Sequence, residues 1–232
     1  MRKRDPLRTF LLGTALVALI LSAAGGCSLF NDDDDDSKPP PPVPTAVPVA
    51  LDVKWSVKDN ASGAQMLAFK ARIEAASAQL WNATSGQMYL RNVQLEDQDQ
   101  SGKVILDNLT QQDGDLAFAY TYQLTGGGWE IHMGGLYPMQ AFIHEVGHAE
   151  VLQDWTVAEE YDLPGPTCIC AMEAYITGSG DGKVIYCDSG NCTKSQRSGC
   201  WQALILQMHS NWTYPRTAGA APACTVTITN HP

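Results

Sequence analysis

The chain has 232 residues, of which 44% are hydrophobic and 17% are charged, and its formal net charge is −10 at pH 7. This length is ample for one domain with a single hydrophobic core. The acidic balance disfavours nucleic acids and anionic membrane surfaces as partners, because their phosphate groups carry charge of the same sign. We therefore expect no nucleic-acid partner.

Residues 1–26 are predicted to be a bacterial lipoprotein signal peptide. A basic cluster precedes about fifteen apolar residues and then small residues, a pattern typical of an export signal. The segment SAAGGC resembles the lipobox of bacterial lipoproteins, which implies that Cys27 is lipidated and anchors the protein to a membrane. A secretory signal cleaved near Ala24 is the alternative, and both interpretations predict export. Ser28 stands where an aspartate would resemble an inner-membrane retention signal, so we expect the outer membrane or the cell surface.

Residues 27–48 are predicted to form a disordered linker behind the lipidated cysteine. Five aspartates are followed by four prolines, with no apolar periodicity from which a core could form. Proline-rich segments are semi-rigid spacers of about 3.1 Å per residue, so the linker can hold a folded domain away from a membrane. Removal of the signal leaves 11 basic and 24 acidic residues, because it takes four of 15 and one of 25, and the net charge becomes −13.

Residues 49–232 are predicted to form one folded domain. ALDVKWSV alternates apolar and polar residues as a half-buried strand does, and AQMLAFKARIEAASAQLW has the three-to-four spacing of an amphipathic helix capped near Ser62. Further strands are predicted in GQMYLRNVQL, KVILDNL, DLAFAYTYQL and GGGWEIHMGG. A last helix-like stretch, CWQALILQMH, carries four apolar residues that we expect to pack as core beneath the site: Trp201, Leu204, Ile205 and Met208.

The segment AFIHEVGHAEVLQDW, residues 141–155, carries the main functional signal. On a helix, residues four apart lie one above the other, so His144 and His148 can aim an imidazole nitrogen at one metal ion. Glu145 lies at the next angular step, where it can reach a metal-bound water. Zinc lowers the pKa of such a water toward about 7, and the glutamate can take its proton. The pattern predicts a zinc-dependent hydrolase, although two ordinary, partly buried histidines are the alternative.

The order of elements resembles that of the metzincin-type zinc peptidases. Over most of residues 50–206 the sequence most resembles bacterial members related to the peptidase domains of calcium-activated chloride channel regulators. The segments that carry this likeness are ATSGQMYLRNVQLED (83–97), HEVGH, Glu159-Glu160-Tyr161, Cys170-Ala171-Met172 and Cys200-Trp201. The resemblance implies an α/β (α+β) metzincin-like zincin domain. Such a domain has a mixed twisted sheet, a long backing helix, an active-site helix, a Met-turn formed by Met172 beneath the zinc, and a C-terminal helix.

The third zinc ligand is open between two main acidic residues. Asp154 lies six residues after His148, which is the metzincin spacing, but Val151 stands where those peptidases have a turn glycine. The helix must therefore break before Asp154 can reach the metal. Glu159 is the alternative, because the resemblance places the ligand at the first acid of its Glu-Glu-Tyr element. Glu173 is a third candidate at the distance of a gluzincin arrangement. We favour Asp154.

Six cysteines remain after the lipidated one, and we expect disulfide bonds among them. An even number concentrated in the last third of an exported chain is typical of a disulfide-stapled region, with the pairing unresolved. A cysteine-based zinc site is the rival interpretation. The candidates are Cys168, Cys170, Cys187, Cys192, Cys200 and Cys224.

These observations together predict a lipid-anchored extracytoplasmic endopeptidase that holds Zn²⁺ and hydrolyses a protein or peptide substrate. The alternative is a non-catalytic surface lipoprotein that uses a peptidase-like fold to bind a protein or a cell-wall component. Among the other histidines, His132 is expected to be an ordinary exposed strand residue, and His209 belongs to no motif.

Overall fold

The protein is a mixed α/β structure built on a six-stranded, mostly parallel sheet. A computed structural model describes residues 47–112, 119–153, 170–172, 184–190 and 199–232. The strand order is β4-β5-β3-β1-β2-β6, and every neighbouring pair is parallel except β4 and β5. The strands are β1 (Val49–Val57), β2 (Met88–Asp97), β3 (Val104–Gln112), β4 (Ala119–Gln123), β5 (Trp129–Leu136) and β6 (Thr225–Thr229).

Helix α1 (Gly63–Ala83) confirms the long amphipathic helix and its cap. The Ser62 hydroxyl accepts a hydrogen bond from the Gln65 backbone N–H at 3.3 Å, and Oε1 of Gln65 accepts one from the Ser62 backbone N–H at 2.9 Å. This reciprocal pair satisfies two N–H groups at the helix start. The buried face carries the predicted residues, which pack on the sheet: Met66, Phe69, Ile73, Ala76 and Leu80.

The second helix carries the histidine motif and ends abruptly. Helix α2 (Met139–Val146) begins after Pro138 and continues as a π-helical turn, Gly147–Val151. The backbone N–H of Leu152 donates to the Gly147 carbonyl at 2.8 Å, which closes the wider π turn. Gln153 then has φ +49°, in the left-handed region that ends a helix. The chain therefore leaves the helix directly after Val151 and Leu152.

The C-terminal part departs from the sequence prediction in two places. A π-helical turn (Trp201–Ile205) runs into a short α3 (Leu206–Met208), and its Trp201 and Ile205 are buried as predicted. Met208 is 47% exposed, so its prediction as core was wrong, because the helix ends there and turns it to solvent. Strand β6 was not predicted, although the alternating TVTIT places Val226 inward against β2.

The predicted signal peptide (1–26) lies outside the described residues, as does the linker (27–48) apart from its last two positions. The chain from Pro44 to Pro232 forms one compact unit. Among its described residues, one hydrophobic core reaches from α1 to the C-terminal tryptophans. Within the described residues, no helix has the combination of length and apolar character needed to cross a bilayer.

Candidate metal centre

The two histidines of the motif converge on one point. Nε2 of His144 lies 3.1 Å from Nε2 of His148, and the two rings meet edge to face with centroids 4.8 Å apart. Zinc binds imidazole nitrogen at about 2.0–2.1 Å, so a single ion can contact both nitrogens at this separation. The donor set fits a zinc ion.

The tautomer of His144 is fixed by the main chain. Its Nδ1 lies 2.9 Å from the carbonyl oxygen of Ala171. Because a carbonyl only accepts, Nδ1 carries the proton and Nε2 presents a lone pair. Burial, together with the nearby His148, lowers the pKa of His144 to about 4. His144 is therefore neutral at pH 7, which is the form that binds metals.

Glu145 receives a hydrogen bond from the edge strand of the sheet. The hydroxyl of Thr121, on β4, lies 2.6 Å from Oε2 of Glu145 and 3.0 Å from its backbone oxygen. Hydrogen bonds to an ionised carboxylate are shorter and stronger than neutral ones, so Thr121 orients this buried side chain. Thr121 belongs to no motif in the sequence and was not among the predicted site residues. The signal that could have found it is the alternation of AYTYQ, which places a polar threonine on the inward face of an otherwise exposed strand.

Met172 packs beneath the motif helix, directly against Gly147. A Cβ atom added at Gly147 would lie 2.5 Å from Sδ of Met172 and 3.2 Å from the Tyr186 ring, so only glycine fits without a shift. The Tyr186 hydroxyl donates to the carbonyl of Ile143 at 2.7 Å. Met172 and Tyr186 are both fully buried. Gly147 thus serves close packing.

The end of the motif helix is held by His209. Its Nε2 lies 2.9 Å from the carbonyl oxygen of Val151 and 3.1 Å from that of Glu150, and its ring stacks on Trp212 with centroids 4.0 Å apart. Because both partners are carbonyls, Nε2 is the donor. His209 therefore satisfies acceptors that the last turn of a helix leaves without an intrahelical partner. No sequence motif had indicated this contact.

The proposed third ligands, Asp154 and Glu159, lie outside the described residues, as do Cys27, Cys168, Cys192 and Glu173. Metal binding by Asp154 requires the helix to break before that residue. The left-handed backbone of Gln153 ends the helix at this point. Glu150 is the acid nearest in sequence after His148, and its Oε1 accepts a hydrogen bond from the Trp129 indole at 2.7 Å.

Three of the predicted disulfide cysteines meet in the core. Cys170, Cys187 and Cys200 are buried, and the Cys200 sulfur lies 3.5 Å from that of Cys187 and 3.7 Å from that of Cys170. The three sulfurs are close enough together to hold one metal ion. Cys224 lies apart, half-buried beside Ser77 of α1. The disulfide pairing stays a prediction.

His132 is not the ordinary exposed strand residue that the sequence predicted. Its side chain is only 12% exposed, with Nδ1 3.1 Å from a carboxylate oxygen of Asp107 and Nε2 2.6 Å from one of Glu130. Its ring stacks on Tyr120. Successive strand residues point to opposite faces, so His132 and Tyr120 lie on the face of the sheet away from Thr121 and the motif helix. His132 is therefore neither an ordinary exposed residue nor part of the metal centre.

Comparisons of the chain with known protein families, with curated proteins and with solved structures gave no match. The assignment of a function therefore depends on the geometry of the centre and on the sequence motif.

Proposed function

We propose that the protein is a zinc-dependent endopeptidase of metzincin type. The observation that carries the proposal is the 3.1 Å approach of the two Nε2 atoms of His144 and His148, with the acidic Glu145 between them in the chain. Two converging imidazoles and an adjacent carboxylate are groups that metal-assisted hydrolysis uses. Asp154 is our preferred third ligand, with Glu159 as the alternative.

The chain's own residues then have separate roles. Zinc, when bound here, would acidify a water molecule and polarise the carbonyl group of the substrate. Glu145 is the general base that accepts the proton from the water and passes it to the leaving amine. Thr121 holds the Glu145 carboxylate through the 2.6 Å hydrogen bond, so that one oxygen keeps a fixed direction. The carbonyl of Ala171 keeps the proton of His144 on Nδ1, so the Nε2 lone pair would be available to hold the ion.

An extended polypeptide is the substrate class that the surroundings favour. In the part of the chain that the structure describes, β4 has a neighbouring strand on one side only. A peptide can add to such an edge through main-chain hydrogen bonds, with side chains alternating between two faces. Tyr120 and Tyr122 are exposed there and offer apolar surface. Thr121, between them, links this edge to Glu145, so a peptide bound on β4 would run past the general base.

The remaining assignments extend the proposal to the rest of the chain. We assign Met172, which packs under Gly147, as the Met-turn residue of a metzincin-like centre. The export signal and the lipobox-like SAAGGC support lipid anchoring at Cys27, on the outer membrane or surface of a bacterial cell. The acidic linker would place the catalytic domain at a distance from that membrane.

The deciding experiment combines zinc analysis with hydrolysis of casein and of a peptide library. We expect the wild type to contain zinc and to cleave peptides. Glu145→Gln should keep zinc and lose hydrolysis, because the amide cannot accept the proton. Glu150→Gln is the matched control, since its carboxylate contacts Trp129 and the variant should keep both properties. Zinc binding without hydrolysis by the wild type, across a broad panel, would refute the peptidase and favour a surface protein that binds a partner.

A further inference from the structure

Three chain segments that are distant in sequence bring their sulfur atoms to one buried point. The Cys200 sulfur lies 3.5 Å from that of Cys187 and 3.7 Å from that of Cys170, and all three sulfurs lie within 4.8 Å of one another. A disulfide bond joins sulfurs at about 2.05 Å. Zinc holds each thiolate at about 2.3 Å, so two sulfurs at neighbouring corners of a tetrahedral site stand roughly 3.8 Å apart. The separations around Cys200 are close to the ligand spacing.

Main-chain hydrogen bonds fix this arrangement. The Trp201 N–H donates to the Cys187 carbonyl at 3.0 Å, and the Cys200 N–H lies 3.4 Å from the Cys187 sulfur. Gly199 permits the approach: its φ is +81°, and a Cβ atom there would lie 2.3 Å from the backbone of Asp188. These contacts therefore fix the position of segment 187–188 relative to segment 199–201.

Backbone contacts also fix the third segment, which carries Cys170. Cys170 forms a parallel bridge with Ile185, and the Ala171 N–H donates to the Ile185 carbonyl at 2.7 Å. All three sulfur positions are thus set by backbone contacts within a buried core. A rigid, buried set of sulfur donors is what a structural metal site requires.

We propose that Cys170, Cys187 and Cys200 bind a zinc ion through three thiolates, as a structural centre separate from the histidine pair. Thiolates are soft ligands that favour zinc among the common divalent ions. Binding releases the three thiol protons to solvent, and the ion offsets the negative charge that the buried sulfurs then carry. The backbone N–H of Cys200 that faces the Cys187 sulfur supplies the kind of outer hydrogen bond that stabilises a bound thiolate.

This centre would stabilise the geometry of the histidine site without supplying a ligand to it. Cys170 directly precedes Ala171, whose carbonyl accepts from Nδ1 of His144. An ion on the three sulfurs fixes the turn that carries this carbonyl. Loss of the ion should therefore loosen the orientation of His144.

Cobalt substitution tests the proposal on the full chain, because cobalt–thiolate bonds absorb in the near ultraviolet and cobalt bound to histidine does not. After exchange of Zn²⁺ for Co²⁺, the wild type should show this band and bind one metal equivalent more than Cys187→Ser. The matched control is Cys224→Ser, which removes a half-buried cysteine beside Ser77 and should leave the band unchanged. A His144→Ala/His148→Ala variant should also keep the band, which separates this test from that of the peptidase.

A second measurement applies if Cys187→Ser does not fold. Wild-type protein, purified without reductant, is alkylated in its folded state before and after chelation. A separate sample is alkylated in denaturant to reveal any disulfide bond, and the modified peptides are identified by mass spectrometry. Alkylation of Cys170, Cys187 and Cys200 only after chelation supports metal binding. A disulfide bond on any of the three, or the lack of a cobalt–thiolate band in the wild type, overturns the proposal.

Discussion

The hydroxyl of Thr121 lies 2.6 Å from Oε2 of Glu145, so the outermost strand of the sheet is hydrogen-bonded to the carboxylate in the histidine motif. The two residues are 24 positions apart in sequence. A peptide that pairs with β4 would pair with the strand that contacts Glu145, the proposed general base. Under the proposed function, substrate binding and proton transfer would therefore be connected through the side chain of Thr121.

Thr121→Val is expected to slow peptide hydrolysis without removing zinc. The valine keeps the shape of threonine but cannot donate to the carboxylate. A hydrogen bond to a charged group contributes about 1.5–3 kcal/mol, so kcat should fall by about 10- to 100-fold while KM changes little. Thr121→Ser keeps the hydroxyl and should retain most of the activity. Equal kcat values for wild type and Thr121→Val would show that Glu145 needs no such donor.

His209→Phe is expected to destabilise the folded protein. Phenylalanine can still stack on Trp212, but it removes the His209 donor from the Val151 carbonyl, which costs about 1–3 kcal/mol. The Glu150 carbonyl keeps the Gln153 side-chain amide at 3.4 Å. Urea unfolding of the zinc-free protein measures the change. His231→Ala is the control, because that exposed side chain contacts a partly exposed Glu96, and we expect a change within about 0.5 kcal/mol. A His209→Phe variant as stable as the control would contradict the capping role.

Gly147→Ala should destabilise the protein through overpacking. The new methyl group would meet Met172 at 2.5 Å, and extra volume in a packed core costs about 1–3 kcal/mol. Met172→Ala makes space, so Gly147→Ala should cost less free energy of unfolding in that background, as a double-mutant cycle would reveal. Gly63→Ala, at the start of α1 with open space around it, should be neutral or stabilising. Additive effects of the Gly147 and Met172 changes would disprove direct contact.

The Asp99 carboxylate is expected to make stability depend on acid pH. Burial opposes its ionisation, but hydrogen bonds from Ser56, Lys54 and Ser101 outweigh this and hold the pKa of Asp99 below its usual value. A carboxylate whose pKa is lowered by folding stabilises the protein above the unfolded pKa of about 3.9, and the stabilisation disappears as the pH falls through the folded pKa.

Asp99→Asn should therefore reduce the free energy of unfolding by about 1–2 kcal/mol at pH 7, and the difference from wild type should shrink below about pH 4. Urea unfolding from pH 7 down to pH 2.5 measures this difference. Glu74→Gln breaks an exposed pair with Lys70 on α1, so it should cost less than about 0.5 kcal/mol. A constant penalty for Asp99→Asn at every pH would exclude the charge as its cause.

Local patterns predicted those parts of the fold whose causes are local. The spacing of Met66, Phe69 and Ile73 and the Ser62 cap were sufficient for α1, because periodicity and capping act within a few residues. The convergence of His144 and His148 also follows from one turn of helix. The strand order could not be derived in this way, since it depends on which strands pair across long separations.

The partners of the motif could not be predicted for the same reason. Ala171 lies 27 residues from His144, and His209 lies 58 residues from Val151. Such contacts appear only when the helix, the edge strand and the C-terminal segment are packed together. Met208 was mistaken for core because its spacing continued the apolar face, while the end of the helix turned it to solvent.

The acceptor that fixes the proton of His144 is a main-chain oxygen, and this has a consequence for the way the site can vary. Every amino acid at position 171 supplies the same carbonyl, so exchange of the side chain there does not by itself remove the acceptor. Ala171 is fully buried, so the packed core limits the size of the side chain at this position, but the acceptor itself belongs to the backbone. The tautomer of His144 is therefore set by backbone geometry, and it would be lost by any change that displaces the turn, such as an insertion, a deletion or a side chain too large for the buried position.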